Sequence, residues 1–386
     1  MPTKNRAEYL QYAIKSILNQ TFQDFEIVVS DNNSTDGTEK VVKNFKDSRI
    51  RYYNTKMDIP LTANWNNAYS FTEGKYFILM GDDDYFFPYA LEDYYNAIKQ
   101  SGAEILHSRY GKYEYGNRML TYPSGASNQV ENIDRGKYLS DFFNFLLHIV
   151  NTTNCCISRN LAKKIEENGD FYQGPFPEYF ALTAAILKTD KLVYLGKTLS
   201  LLGVTPKSNG PALMDFKLRR TALTDDFGRE YTTPLKAKII SNGLYITYAL
   251  LLSKYPSELK TYSINLRQYY IHSGNWLILN LFRSIISLNL VFIRECSSEF
   301  IEFLIKAPKI TLIEWIIRLP IKLAITITPR PLVNYLNNFS LNHRFTARLL
   351  SIVGLSRPNE SIVHTIKFKK ETTIEEAAKL VFEADK

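Results

Sequence analysis

Two hydrophobic periods alternate along the first 210 residues. Glu8 to Asn19 places Tyr9, Leu10, Ala13, Ile14, Ile17 and Leu18 at helical spacing, so an amphipathic helix is expected there. Phe25 to Ser30 (FEIVVS) is a continuous apolar run, short enough for a buried strand. A helix from about Thr38 to Phe45 follows, capped by Ser34 or Thr35, then a short alternating strand at Arg49 to Tyr53 and a helix at Leu61 to Ser70. Tyr76 to Met80 (YFILM) is again a buried-strand pattern, and it runs into Gly81, Asp82, Asp83 and Asp84. Beyond it, Leu91 to Gln100 reads as a helix stopped by Gly102, and Glu104 to Ser108 as a strand. Residues Gly111 to Asn132 read as a hairpin or mobile insertion. Tyr138 to Val150 is an apolar helix, Asn154 to Ser158 a short strand, and Tyr179 to Leu187 a helix after the loop Phe171 to Glu178. Lys191 to Gly196 and Leu199 to Val204 are strand-like, and Thr205 to Gly210 is a loop serving as a lid or a boundary.

After about Met214 the strand signal stops. Helical periods cover Leu235 to Ser253, Ser263 to Asn289 and Ser298 to Leu319, and a short charged helix covers Glu371 to Lys386. Alternating strands and helices followed by helices alone predict an α/β unit over 1–213 and a helical region over 214–386. Met1, Pro2 and Thr3 look like the end of a strand-to-helix turn whose strand is absent, so the first strand is expected to lie upstream.

Composition narrows the class. Of 386 residues, 45% are hydrophobic and 22% charged, which argues against general disorder. The net charge of +8 is unevenly placed: residues 211–386 hold about 24 Lys and Arg against about 15 Asp and Glu. An anionic partner is therefore expected for the C-terminal region alone. The three cysteines, Cys155, Cys156 and Cys296, are not a disulfide framework and fit a reducing compartment. The apolar C-terminal stretches are cut by Arg267, Arg283, Arg318 and Pro320, short of the roughly 18 residues a membrane span needs. Thr311 to Pro331, with Arg318, Lys322 and Arg330, reads either as a basic amphipathic helix at a membrane surface or as an ordinary packed helix.

Three adjacent carboxylates repel one another unless a cation offsets them, so Asp82, Asp83 and Asp84 are candidate oxygen ligands for a hard divalent metal; a solvated acidic turn is the alternative. Asp31 stands at a strand tip, where it can take hydrogen bonds from a nucleoside or simply close an Asx turn. Glu178 stands at a helix start, as a dipole-favoured carboxylate or a general base. His107 and the two adjacent cysteines read as packing residues.

These segments form a pattern. PTKNRAEYLQYAIKSILNQTFQDFEIVVSDNNSTDGT followed by TEGKYFILMGDDDYFFP resembles the family 2 inverting glycosyltransferases of GT-A fold, over about residues 1–110, with similarity of arrangement alone from 110 to 205. The resemblance implies a Rossmann-like mixed sheet flanked by helices and a nucleotide-diphosphate sugar donor. Thr3 and Asp31 would contact nucleobase and ribose, helped by Arg6. Asp82 and Asp83 would approach ribose and diphosphate, and Asp83 or Asp84 would hold Mg²⁺ or Mn²⁺. Glu178 is the position for the base that deprotonates the acceptor, although the family more often has Asp there; Asp170 is the second choice. The expected acceptor is a glycan or lipid-linked glycan of cell-surface polysaccharide synthesis. The expected place is the cytoplasm, peripheral on the inner face of an anionic membrane, with no nucleic-acid partner. The alternative is a non-catalytic glycan-binding or scaffold protein on a degenerate GT-A fold. Nucleotidyl transfer ranks below both, because no Gly-rich phosphate loop opens the chain.

Overall fold

The computed structural model describes residues 1–123, 127–145, 151–206, 231–235, 240–286, 290–313, 315–316, 363–368 and 372–384. The expected boundary near 213, the loop beyond Pro206, and Arg318, Pro320, Lys322 and Arg330 lie outside these residues.

The chain opens with β1 (Pro2–Thr3), α1 (Ala7–Leu18), β2 (Ile27–Asp31), α2 (Thr38–Asn44), β3 (Ile50–Asn54) and α3 (Leu61–Ser70). β1, β2 and β3 form a parallel sheet in that order. The first three residues, read from sequence as a turn without its strand, do pair: Pro2 and Thr3 lie beside Ser30 and Asp31, and the Met1 amine donates to the Val28 carbonyl at 2.8 Å. A backbone edge offered by β2 is enough to hold them in extended form.

Next come β4 (Tyr76–Phe77), β5 (Tyr85–Phe86), α4 (Ala90–Ser101), β6 (Ile105–Glu114), β7 (Met119–Pro123), β8 (Val130–Asn132), α5 (Arg135–Phe143), β9 (Cys155–Ser158), α6 (Arg159–Glu166), α7 (Pro177–Lys188) and β10 (Leu192–Val204). β6 and β10 run parallel at the centre of a second, mixed sheet, with β5, β7, β8 and β9 pairing antiparallel to them. The two expected strands at 191–204 are one, bent by register shifts between Leu195 and Ser200. Helices flank the sheets. Leu10, Ile14 and Ile17 of α1 pack with Phe86, Tyr94 and Val193 in one core, while Leu139, Leu161 and Phe180 of α5, α6 and α7 fill another with Phe77 and Ile157. The mixed α/β sheet with flanking helices is the architecture expected from the sequence.

The C-terminal half supplies α8 (Ile240–Lys254), α9 (Leu266–Ile286) and α10 (Leu290–Lys306). Pro308 sits just past the last turn of α10, where it cannot continue the helix, so the helix expected over 298–319 is divided there. The chain then returns to the first half. β11 (Val363–Lys367) extends the mixed sheet antiparallel to β7, and α11 (Ile374–Ala384) buries Ile374, Ala377, Ala378 and Val381 against Tyr85, Phe87, Tyr113 and Leu201. Among the described residues no helix is long and apolar enough to cross a membrane.

Candidate functional site

The carboxylate triplet lies between β4 and β5 and is buried, with Asp82, Asp83 and Asp84 only 5%, 8% and 5% exposed. Three consecutive acids stay buried because the surrounding elements supply donors. Thr3, at the tip of β1, donates its hydroxyl to Asp82 Oδ2 at 2.7 Å. Arg6, just ahead of α1, donates from Nη1 to Asp82 Oδ1 and to Asp83 Oδ2, both at 2.9 Å. Its Nη2 reaches the Thr205 hydroxyl at 3.3 Å. Asp84 is held by neutral groups: the Gly203 N–H at 2.8 Å, the Gly81 N–H at 3.1 Å, and the Thr153 hydroxyl.

Two glycines make that closeness sterically feasible. A Cβ on Gly203 would stand 1.8 Å from the Asp83 carbonyl oxygen, and one on Gly81 would stand 2.6 Å from Asp84 Oδ2. Both are far inside van der Waals contact, so neither position admits a side chain without moving the triplet.

Charge in this cluster is unbalanced. Among the described residues Arg6 pairs with two of the three carboxylates, and burial pushes the Asp82 carboxyl up to about 6, with Arg6 opposing and Asp83 adding to the rise. Burial, then the Asp83 charge, pushes Asp84 up to about 7. Carboxylates that hold their protons this firmly are short of positive charge.

Asp31 is buried too, at 1% exposure, yet its partners are all neutral. The Ser34 N–H donates to Oδ1 at 3.0 Å, and the Tyr52 hydroxyl and the Asn54 amide donate to Oδ2 at 2.5 and 3.2 Å. Tyr52 and Asn54 also line a cavity of about 640 Å³ bounded by Thr55, Lys56, Ile59 and Asn67. Thr3 and Asp31 are ladder partners, so the strand tips bring the cavity, Asp31 and the triplet side by side.

Glu178 is the second residue of α7, and its charge adds to the rise that burial gives the Tyr172 and Tyr179 phenols. Burial pushes its carboxyl up to about 7. The preceding loop is pinned to α3: Asn66 exchanges two hydrogen bonds with the Tyr172 backbone at 2.9 and 3.0 Å, and the Thr62 hydroxyl donates to the Gly174 carbonyl at 3.3 Å. Two residues along α3, Asn64 and Asn67 bond Ser30 at the end of β2. No hydrogen bond or ion pair among the described residues joins Glu178 to the triplet. Asp170 is exposed. His107 packs against Tyr194 at 4.9 Å, and burial pushes it down to about 4. Cys155 and Cys156 are buried thiols pushed well up by burial, in keeping with packing.

Sequence reasoning did not find Thr153, Gly203, Thr205, Tyr52 or Asn54. Gly203 had a signal, a glycine inside an apolar strand pattern, which marks close backbone approach. The others carry none.

No group of three or more His, Cys, Asp or Glu side chains converges as a metal cage among the described residues. A Mg²⁺ or Mn²⁺ ion bound together with phosphates needs only one or two carboxylates. Asp83 and Asp84, adjacent hard oxygen donors in a cluster short of positive charge, fit that requirement.

The fold and site define an α/β protein with a buried cluster of polar and acidic side chains at the tips of its strands. Residues 1–166 match the model of glycosyl transferase family 2. Among curated relatives, a GalNAc(5)-diNAcBac-PP-undecaprenol beta-1,3-glucosyltransferase of Campylobacter jejuni is 44% identical over 87 residues, which is 22% of this chain and 28% of the relative. A poly(ribitol-phosphate) beta-N-acetylglucosaminyltransferase of Staphylococcus aureus is 31% identical over 116 residues, 29% of this chain and 35% of the relative. The chain thus spans well under half the length of either. Among solved structures, residues 1–349 of S. aureus TarS with UDP-GlcNAc overlap 72% of this chain and 79% of that one, at 16% identity and a TM-score of 0.45. A Pyrobaculum calidifontis mannosyltransferase with GDP-Man and Mn²⁺ overlaps 79% of this chain and 84% of its own, at 14% identity and a TM-score of 0.41.

Proposed function

We propose that the protein is a metal-dependent inverting glycosyltransferase, moving a sugar from a nucleotide-diphosphate sugar to a glycan or lipid-linked acceptor in cell-surface polysaccharide synthesis. The observation that carries this reading is the buried triplet of adjacent carboxylates Asp82, Asp83 and Asp84, two of them paired with the Arg6 guanidinium. In this reading Asp31 and Thr3 border the nucleobase and ribose, with the cavity beside Tyr52 and Asn54 admitting the base. Arg6 and Asp82 orient the ribose and diphosphate. Asp83 and Asp84 hold Mg²⁺ or Mn²⁺, which when bound neutralises charge on the departing diphosphate. Glu178, half-buried and with its carboxyl raised to about 7, takes the proton from the acceptor hydroxyl as it attacks opposite the leaving group.

The names of the relatives support a bacterial glycan context, one of them with an undecaprenol-linked substrate. A peripheral membrane contact on the cytoplasmic side is part of the proposal. Its support is the exposed Ile305 (77%), Ile310 (72%) and Ile313 (60%), with Lys306 and Lys309 between them.

The test is a thermal-shift screen of UDP, GDP, CMP and TDP sugars, each with and without Mn²⁺. A metal-dependent rise with one nucleotide, lost in Asp84→Asn, is expected. No response to any donor by the folded protein would favour a non-catalytic scaffold.

A further inference from the structure

We propose that the Tyr115 hydroxyl is a further donor-binding group, giving its proton in a hydrogen bond to the diphosphate of the nucleotide sugar. The inference rests on the transferase reading above. Tyr115 follows the last residue of β6, and its N–H donates to the Val204 carbonyl at 2.9 Å. Val204 stands between Gly203, whose N–H holds Asp84, and Thr205, whose hydroxyl takes Arg6. Three consecutive residues at the end of one strand therefore hold Asp84, Tyr115 and Arg6 around the same centre.

The ring is fixed from two sides, edge-on to Tyr9 of α1 at 4.8 Å and to Tyr113 of β6 at 4.9 Å. Its hydroxyl is buried and has no hydrogen-bond partner among the described residues. Buried hydroxyls are satisfied as a rule, because leaving one unpaired is costly. Burial, and then the charges of Asp83 and Asp84, push this phenol well above its ordinary range, so it remains a proton donor at neutral pH. A rigid, unpartnered donor beside the strand end that holds Asp84 and Arg6 fits a ligand that brings oxygen acceptors to that centre. A diphosphate held through a divalent metal at Asp83 and Asp84 has that chemistry. Tyr9 is the internal contrast, since its hydroxyl is already engaged by Glu8.

The experiment uses the full chain and its Tyr115→Phe and Tyr9→Phe variants. UDP, GDP, UMP and GMP are titrated calorimetrically in the presence of Mn²⁺, with thermal unfolding of each variant measured alongside. Tyr115→Phe should weaken diphosphate binding about tenfold or more while leaving monophosphate binding within about twofold, as expected for one lost bond to a charged oxygen. Tyr9→Phe should change neither. The unfolding temperature of Tyr115→Phe should not fall, because the ring contacts stay and an unpartnered hydroxyl is removed. Unchanged diphosphate binding, equal loss with mono- and diphosphates, or a lowered unfolding temperature would each overturn the assignment in favour of a structural hydroxyl. If the unmodified protein binds neither diphosphate, the titration is repeated with TDP and TMP, and binding of no diphosphate at all overturns the transferase reading and this inference with it.

Discussion

Asp31 and the Asp82–Asp84 triplet are both buried acids at the ends of strands, yet they differ in how many charges share the site. Asp31 is one carboxylate whose lone pairs are met by an amide N–H, a phenol and a carboxamide, whereas three carboxylates crowd together in the triplet. Among the described residues the Arg6 guanidinium bonds both Asp82 and Asp83, while Asp84 accepts from two N–H groups and a hydroxyl. In the proposed reading, the difference separates a carboxylate that shapes the site from carboxylates that would hold a cation. It also explains why an acidic run that is costly on its own is compatible with a folded protein: Arg6, Thr3, Thr153 and the Gly203 N–H each remove part of the cost.

The largest expected effect lies outside both regions and tests whether the triplet acts alone. Glu178→Gln should lower the transfer rate by about 10²–10⁴-fold, and the wild-type rate should fall as pH drops below about 7, the value to which burial raises this group. Steady-state kinetics over pH 5–9, a range chosen to bracket that value roughly, would show whether the limb disappears in the variant. Next, Asp84→Asn should cost about 10²–10³ in rate, whereas Asp31→Asn should act mainly on donor affinity. Equal rate losses in the two would erase the distinction.

Gly203→Ala should destabilise the fold by about 3 kcal/mol, since overpacking costs are of this order and the new methyl meets main chain; chemical denaturation would measure it. The pH dependence of the metal-free protein follows from the raised carboxyls. Asp82 and Asp84 bind protons more tightly when folded than when unfolded, so their contribution is full near pH 4 and is lost as pH rises through about 6 and about 7. Between those limits stability should drop on the order of 2 kcal/mol, a figure set by the usual value of a pKa unit and reduced for coupling. Asp84→Asn should flatten the curve. The smallest effect belongs to the dipole-satisfied acid: Tyr52→Phe should cost about 1 kcal/mol, the net worth of one hydrogen bond, without altering that pH curve.

Most of the first half was legible because its signals are local. The apolar stripe of α1, the runs at β2 and β4 and the Gly102 stop after α4 are each set by neighbours within a few residues, and Gly102 does adopt the left-handed conformation at φ 67°. Structure set by distant partners was not legible. β11 exists because Val363 to Lys367 finds the edge of β7, and the short α6 is held by Leu161, Ala162 and Ile165 packing into a core assembled from eight other elements. The site divides the same way. Asp82, Asp83 and Asp84 are consecutive and visible as a motif, while Thr153, Gly203, Thr205 and Tyr115 arrive from separate elements and share no spacing. The triplet was legible as a charge problem; its solution depended on tertiary contacts.

The most direct test of the central claim is anomalous diffraction at the manganese edge from crystals grown with Mn²⁺ and the nucleoside diphosphate selected by the donor screen. The account predicts a peak at about 2.1–2.3 Å from carboxylate oxygens of Asp83 or Asp84, bridged to the diphosphate. A nucleotide bound with no metal at the triplet, or a metal bound elsewhere, would contradict it.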